Sequence, residues 1–150
     1  MTISNRKWLV LSAGLIFFMV DRLLKYIFVA GLISSKIPFL NYWANRNLAF
    51  SLPLLPAGRL FFYFFLCLIL LVIAGLFLRA WRQSEILSAG AFWFLLLGAV
   101  SNALDRFKYN AVIDFIDFRF WPVFNLADVM IILGLGLLCY DLFWCRQIGN

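Results

Sequence analysis

Apolar residues fall along this chain in long unbroken blocks and seldom alternate with polar ones. The block "LFFYFFLCLILLVIAGLFL", Leu60 to Leu78, stands between Arg59 and Arg79 without an internal charge, about the length a helix needs to cross a hydrocarbon layer roughly 30 Å thick. A first block begins at Trp8, and its helical pattern continues through "DRLLKYIFVAGL", which predicts a spanning helix from about Trp8 to Val29. A third is predicted from about Ile86 to Leu104 and a fourth from about Leu126 to Phe143, both containing small residues that let helices pack closely. Between the first two, Ala30 to Gly58 is too polar and too rich in Pro and Asn to cross, and runs such as "KIPFLNYW" suit short strands at the outer surface. The pattern thus predicts an all-α membrane protein: a single domain over residues 1–150, with four transmembrane helices and a small extracytoplasmic segment, partly β, between helices 1 and 2. The basic start followed by an apolar run imitates a secretory signal, but no small-x-small cleavage site follows it, so the first helix is expected to be retained.

Composition agrees. Of 150 residues, 65% are hydrophobic and 13% charged, with a mean hydropathy of +0.96, far above a soluble domain. The net charge of +6 comes from 13 Lys and Arg scattered singly or in pairs, which suits membrane flanks and argues against nucleic acid. With four spans, Arg6, Lys7, Arg79, Arg82 and Arg146 share one side, beside Trp8, Trp81 and Trp144. Lys36, Arg46, Arg59, Arg106, Lys108 and Arg119 share the other. Five against six does not orient the chain, although clustering at the span ends favours termini inside. Cys67, Cys139 and Cys145 show no C-x-x-C spacing and read as packing residues.

The chain has no histidine. Any catalysis must therefore rest on carboxylates, Lys, Tyr or Ser. The carboxylates stand in unusual places. Asp21 and Lys25, at i and i+4, share a face of the first helix well inside the hydrocarbon layer. They are either a self-satisfied ion pair or the support of a site. Asn102 and Asp105 share a face at the end of the third span, followed by Arg106. Asn125 suits the N-cap of the fourth, where Asp128 can answer the cap and meet the positive helix end. Each alone reads as a terminus or a cap. Their arrival at one membrane face, joined by "VIDFID" with Asp114 and Asp117, is more than capping needs. If that segment is extended, Asp114 and Asp117 point to opposite faces, whereas one helical turn brings them together; on either geometry only one meets Asp128. Two carboxylates at the edge of a low-dielectric region share one proton, holding a base and an acid side by side.

These residues resemble the lipoprotein signal peptidases, the bacterial signal peptidase II family of membrane aspartic peptidases. In order along the chain, "DRLLK" looks like the family's D-x-x-x-K, "NRNLAF" like N-x-G-x-A-F, "GAVSNALDR" like G-A-x-G-N-x-x-D-R, "VIDF" like V-x-D-F, and "FNLAD" like F-N-x-A-D. The resemblance implies that Asp114 and Asp128 form the catalytic dyad. It implies that Asp21, Lys25, Asn45, Asn102, Asp105, Arg106 and Asn125 bind substrate or shape the site. It also implies a multi-pass protein of the bacterial cytoplasmic (inner) membrane, with cytoplasmic termini and the site near the outer face. The substrate would be a diacylglyceryl-modified prolipoprotein, cleaved before its lipidated cysteine within the membrane. A monomer is expected, with membrane lipid as its other partner and with neither metal nor organic cofactor. Asn47 and Ser101 stand where the family has glycine, and the interval of 14 positions (128 − 114) from Asp114 to Asp128 suggests a trimmed loop. The rival reading is a small proton- or ion-coupled transporter, which requires ionisable groups spread through the bilayer. Spans two and four have none at mid-depth. A non-catalytic adaptor would carry the acid cluster at a cost in stability and for no gain.

Overall fold

The computed structural model describes residues 2–33, 37–46 and 59–145. Lys36, Asn47 and Arg146, to which the sequence assigns a flanking charge, a turn and a terminal charge, lie outside them.

Helix α1 (Ile3–Val29) starts where the Thr2 hydroxyl accepts the Asn5 N–H at 3.3 Å, and stops at Ala30, followed by Gly31 at φ 67°. Strand β1 (Leu40–Asn45) lies in the segment expected to be partly β. Helix α2 (Arg59–Arg82) runs a turn beyond the predicted Leu78. Helix α3 (Ile86–Tyr109) also runs past its predicted end at Leu104, so Asp105 and Arg106 lie inside the helix and not beyond it. The cause is neutralisation: Asp105 meets Lys25 and Arg22, so the charge need not stop the helix, which continues to Asn110 at φ 52°. Asparagine tolerates that left-handed conformation better than most residues. Strand β2 (Val112–Ile116) follows, then α4 (Leu126–Tyr140), whose last turn widens into a π-helical turn, Asp141–Cys145.

Helices α2, α3 and α4 are long and apolar enough to cross a membrane. Helix α1 is longer, at 27 residues, but Asp21, Arg22 and Lys25 interrupt its apolar run within two turns, so among the described residues three helices meet that standard, not four. Helix α3 is the axis of the bundle. Of its most apolar 18-residue stretch 56% is buried, against 17% for α4 and none for α2. Glycines set the α3–α4 spacing: a Cβ at Gly98 would lie 2.6 Å from the Ala127 carbonyl oxygen, and one at Gly134 2.7 Å from that of Ala91. At one end of the bundle Lys7 donates to the Trp81 carbonyl at 2.8 Å and lies 4.8 Å from that indole, a cation and a tryptophan together, as an interface favours.

At the other end β1 and β2 pair antiparallel, with Trp43 opposite Asp114 and Asn45 opposite Val112, and with a bulge between Leu40 and Trp43. A bridge from Ile116 to Phe124 closes the loop between β2 and α4. Phe115 stacks on Phe28 at 5.2 Å, fastening β2 to the end of α1. The two-stranded sheet thus sits over the ends of α1, α3 and α4.

Candidate active site

The start of α4 is the floor of the site. A helix leaves its first N–H groups without intrahelical partners, and here those of Asn125, Ala127 and Asp128 each find a side chain. Asn125 caps the helix, its Oδ1 accepting the Asp128 N–H at 3.0 Å, while Asp128 Oδ2 accepts the Asn125 N–H at 3.1 Å. The Ala127 N–H donates to Asp21 Oδ1 of α1 at 3.0 Å. The predicted cap is real, and it uses only one oxygen of Asp128. The other, Oδ1, accepts from Asn102 Nδ2 at 2.8 Å.

Asn125 also reaches the second acid. Its Nδ2 donates to Asp114 Oδ1 at 2.6 Å and to Asn102 Oδ1 at 3.2 Å, while Asn45 Nδ2 donates to Asp114 Oδ2 at 3.1 Å. One asparagine therefore bonds both carboxylates, one through its side chain and one through its backbone. Asp114 is only 2% exposed. Burial pushes its carboxyl up to about 6, against the hydrogen bond from Asn45; the charge of Asp128 adds to the rise.

Beneath lies a buried ionic cluster joining α1 to α3. Lys25 Nζ is 3.1 Å from Asp21 Oδ2, 2.9 Å from Asp105 Oδ2 and 2.9 Å from Asn102 Oδ1. Arg22 Nη1 lies 2.6 Å from Asp105 Oδ1. Asp105 Oδ2 also accepts the Ile113 N–H at 3.2 Å, gripping β2 one residue before Asp114. Asp21 and Asp105 are fully buried and Lys25 is 1% exposed, and every such charge has partners, as low-dielectric surroundings demand. Asp21 and Lys25 are thus not a closed pair: each also bonds outside it.

Eight of the residues singled out from the sequence form this one connected network: Asp21, Lys25, Asn45, Asn102, Asp105, Asp114, Asn125 and Asp128. Arg106 stands at its margin, donating to the Asn102 carbonyl at 3.4 Å and lying 5.7 Å from the Phe62 ring. Among the described residues no ion pair joins it to Asp114 or Asp128. Asp117 turns away: it accepts from Asn41 Nδ2 at 3.0 Å and from the Arg119 N–H at 2.7 Å, bonds that hold its carboxyl below the usual range. Two members were missed. Arg22 lay inside the quoted "DRLLK", and a third charge in an apolar helix was signal enough. Ser101 drew notice only as a departure from glycine, yet its hydroxyl donates to Asp21 Oδ2 at 2.5 Å.

Apolar spanning helices around a cluster of acids and amides define a membrane protein built on a polar site. The pattern described as signal peptidase (SPase) II matches residues 13–144, and the chain belongs to that family of membrane proteases. It is 32% identical to the lipoprotein signal peptidase of Halothermothrix orenii over 91% of this chain and 96% of that one. To the lipoprotein signal peptidase of Helicobacter pylori it is 34% identical over 98% and 96%. Two solved bacterial membrane enzymes, determined in meso at 2.3 Å and 1.9 Å resolution, share the fold. Their TM-scores are 0.77 and 0.74, at 24% and 25% identity, covering 97% and 93% of this chain and 92% and 94% of theirs.

Proposed function

We propose that this protein is an aspartic endopeptidase that removes signal peptides from diacylglyceryl-modified prolipoproteins by cleaving before the lipidated cysteine. The observation that carries the proposal is the convergence of Asp114, from β2, and Asp128, from α4, on Asn125, with burial raising the Asp114 carboxyl to about 6. Below about pH 6 such a pair holds one proton between two carboxylates. The ionised member takes a proton from water as its oxygen attacks the scissile carbonyl carbon. The resulting tetrahedral oxyanion collapses as the protonated member gives its proton to the leaving amine, and the carbon–nitrogen bond breaks. The pair returns to one shared proton, with water consumed.

Asn102, Asn125 and Asn45 fix the carboxylates, and the Asp21–Lys25–Asp105 cluster fixes the asparagines and the strand. Arg106, on the rim, suits the polar part of the substrate. In this reading the single domain 1–150 crosses the inner membrane four times, α1 included, and acts as a monomer on prolipoprotein drawn from the lipid. Its termini are cytoplasmic and its site lies near the outer face. The Lys7–Trp81 contact at the far end from the dyad supports that orientation. Purified protein should cleave a diacylglyceryl-modified prolipoprotein peptide and leave the unmodified peptide intact. Equal cleavage of both, or of neither, removes the proposal.

A further inference from the structure

Ser101 is completely buried in the middle of α3, where a hydroxyl commonly turns back to the carbonyl four residues before it. Here three charged groups surround it. Its Oγ lies 2.5 Å from Asp21 Oδ2, 3.1 Å from Arg22 Nη1 and 3.5 Å from Lys25 Nζ. Guanidinium and ammonium groups donate and never accept. The hydroxyl's own proton is therefore left for Asp21, while its lone pairs face the two cations. The bond has a fixed direction without any choice of rotor.

What Asp21 does with its other oxygen gives that direction its meaning. Oδ1 accepts the Ala127 N–H, an otherwise unpartnered donor of the first turn of α4, next to Asp128. A second line runs from Lys25 through Asn102 Oδ1, and Asn102 Nδ2 then donates to Asp128 Oδ1. Both lines to Asp128 pass through groups that Ser101 touches. We propose that Ser101 is a positioning residue, whose hydroxyl orients the Asp21 carboxylate so that Asp21 holds the first turn of α4, and with it Asp128, in place.

The inference rests on the peptidase reading for its kinetic consequence, and on geometry alone for its structural one. It separates two substitutions that packing ranks the other way. Ser101→Ala removes only the oxygen and leaves a gap too small for water. Ser101→Gly removes the whole CH2OH group, about the roughly 30 Å³ that one water occupies in the liquid, and the site offers that water Asp21, Arg22 and Lys25 as partners. Alanine is the better helix former, so Ser101→Ala should unfold no more readily than Ser101→Gly. Yet it should be the poorer enzyme.

The test measures kcat and KM on the lipid-modified peptide, thermal unfolding in detergent, and amide exchange over Asn125–Val129, for the wild type and both variants. Ser101→Ala should lower kcat about tenfold, as supporting partners of reacting groups do, with KM within about twofold and faster exchange at the start of α4. Ser101→Gly should recover most of the rate and the slow exchange despite lower thermal stability. Wild-type kcat and exchange in Ser101→Ala, or a Ser101→Gly variant slower than Ser101→Ala, would reduce Ser101 to a packing residue. If wild-type protein leaves the peptide intact, the peptidase reading fails, and amide exchange alone still decides whether Ser101 holds α4.

Discussion

One carboxylate stands at the centre of β2 and another just beyond its end, and the fold treats them in opposite ways. Asp114 lies inside the strand, buried, bonded by two asparagine amides and facing Asp128, and its carboxyl rises to about 6. Asp117, three residues on, lies beyond the strand, fastened by Asn41 and the Arg119 backbone, and its carboxyl falls. Both are hydrogen-bonded, so hydrogen bonding does not separate them. Desolvation and a like charge do: a buried acid beside another resists ionising, while a wet one with two donors ionises more easily. Inside "VIDFID", chemistry is assigned by burial and not by residue type.

The largest expected effect falls on the buried acid. Asp114→Asn and Asp128→Asn should each lower kcat by about a thousandfold or more, because the amide keeps size and most hydrogen bonding but cannot exchange the proton. The double variant should be no worse than either single one, since the two act as a unit. Additive losses in a kinetic double-mutant cycle would break the dyad apart.

Next comes the cluster that grips β2 beside the buried acid. Asp21→Ala leaves Lys25 and Arg22 to share Asp105 as their one carboxylate and frees the Ala127 N–H, so folded yield and unfolding temperature should drop, by the equivalent of about 3–5 kcal/mol for a broken buried pair. Full yield with complete loss of activity would instead give Asp21 a direct part in the chemistry.

The pH dependence should show a smaller change with a definite sign. The proton on the dyad is present below about 6 and lost above it, so kcat/KM, which reports the free enzyme, should fall as pH rises through about 6. Asn45 donates to the ionised form of Asp114, so Asn45→Ala favours the protonated acid and should move that limb to higher pH. A move to lower pH would mean that Asn45 acts elsewhere.

The smallest effect belongs to the wet acid beyond the strand. Asp117→Asn should keep kcat within about twofold of wild type, as substitutions away from buried networks do. A dead Asp117→Asn beside an active Asp114→Asn would reverse the comparison.

Local rules carried the sequence reading a long way. Apolar blocks located α2, α3 and α4, and the Asn125 and Asp128 spacing announced the capping box that α4 displays. The same reading ended α3 too early because it treated Asp105 as a charge meeting water, when Arg22 and Lys25, some eighty positions earlier, neutralise it inside the bundle. It also weighed Asp21 and Lys25 as a possible closed pair, since i,i+4 spacing is visible in a string and a bond to Ala127, 106 positions away, is not.

By itself, then, the sequence determined the apolar helices, the cap and the stock of acids and amides, because helix periodicity and capping act over three or four residues. Only the tertiary structure decided that α3 is the axis while the equally long α2 faces outward, that Asp114 and not Asp117 meets Asn125, and that Ser101 stands among three charges. Those outcomes depend on which distant surfaces are brought into contact, and burial, which sets the cost of a charge, exists only once the helices have packed.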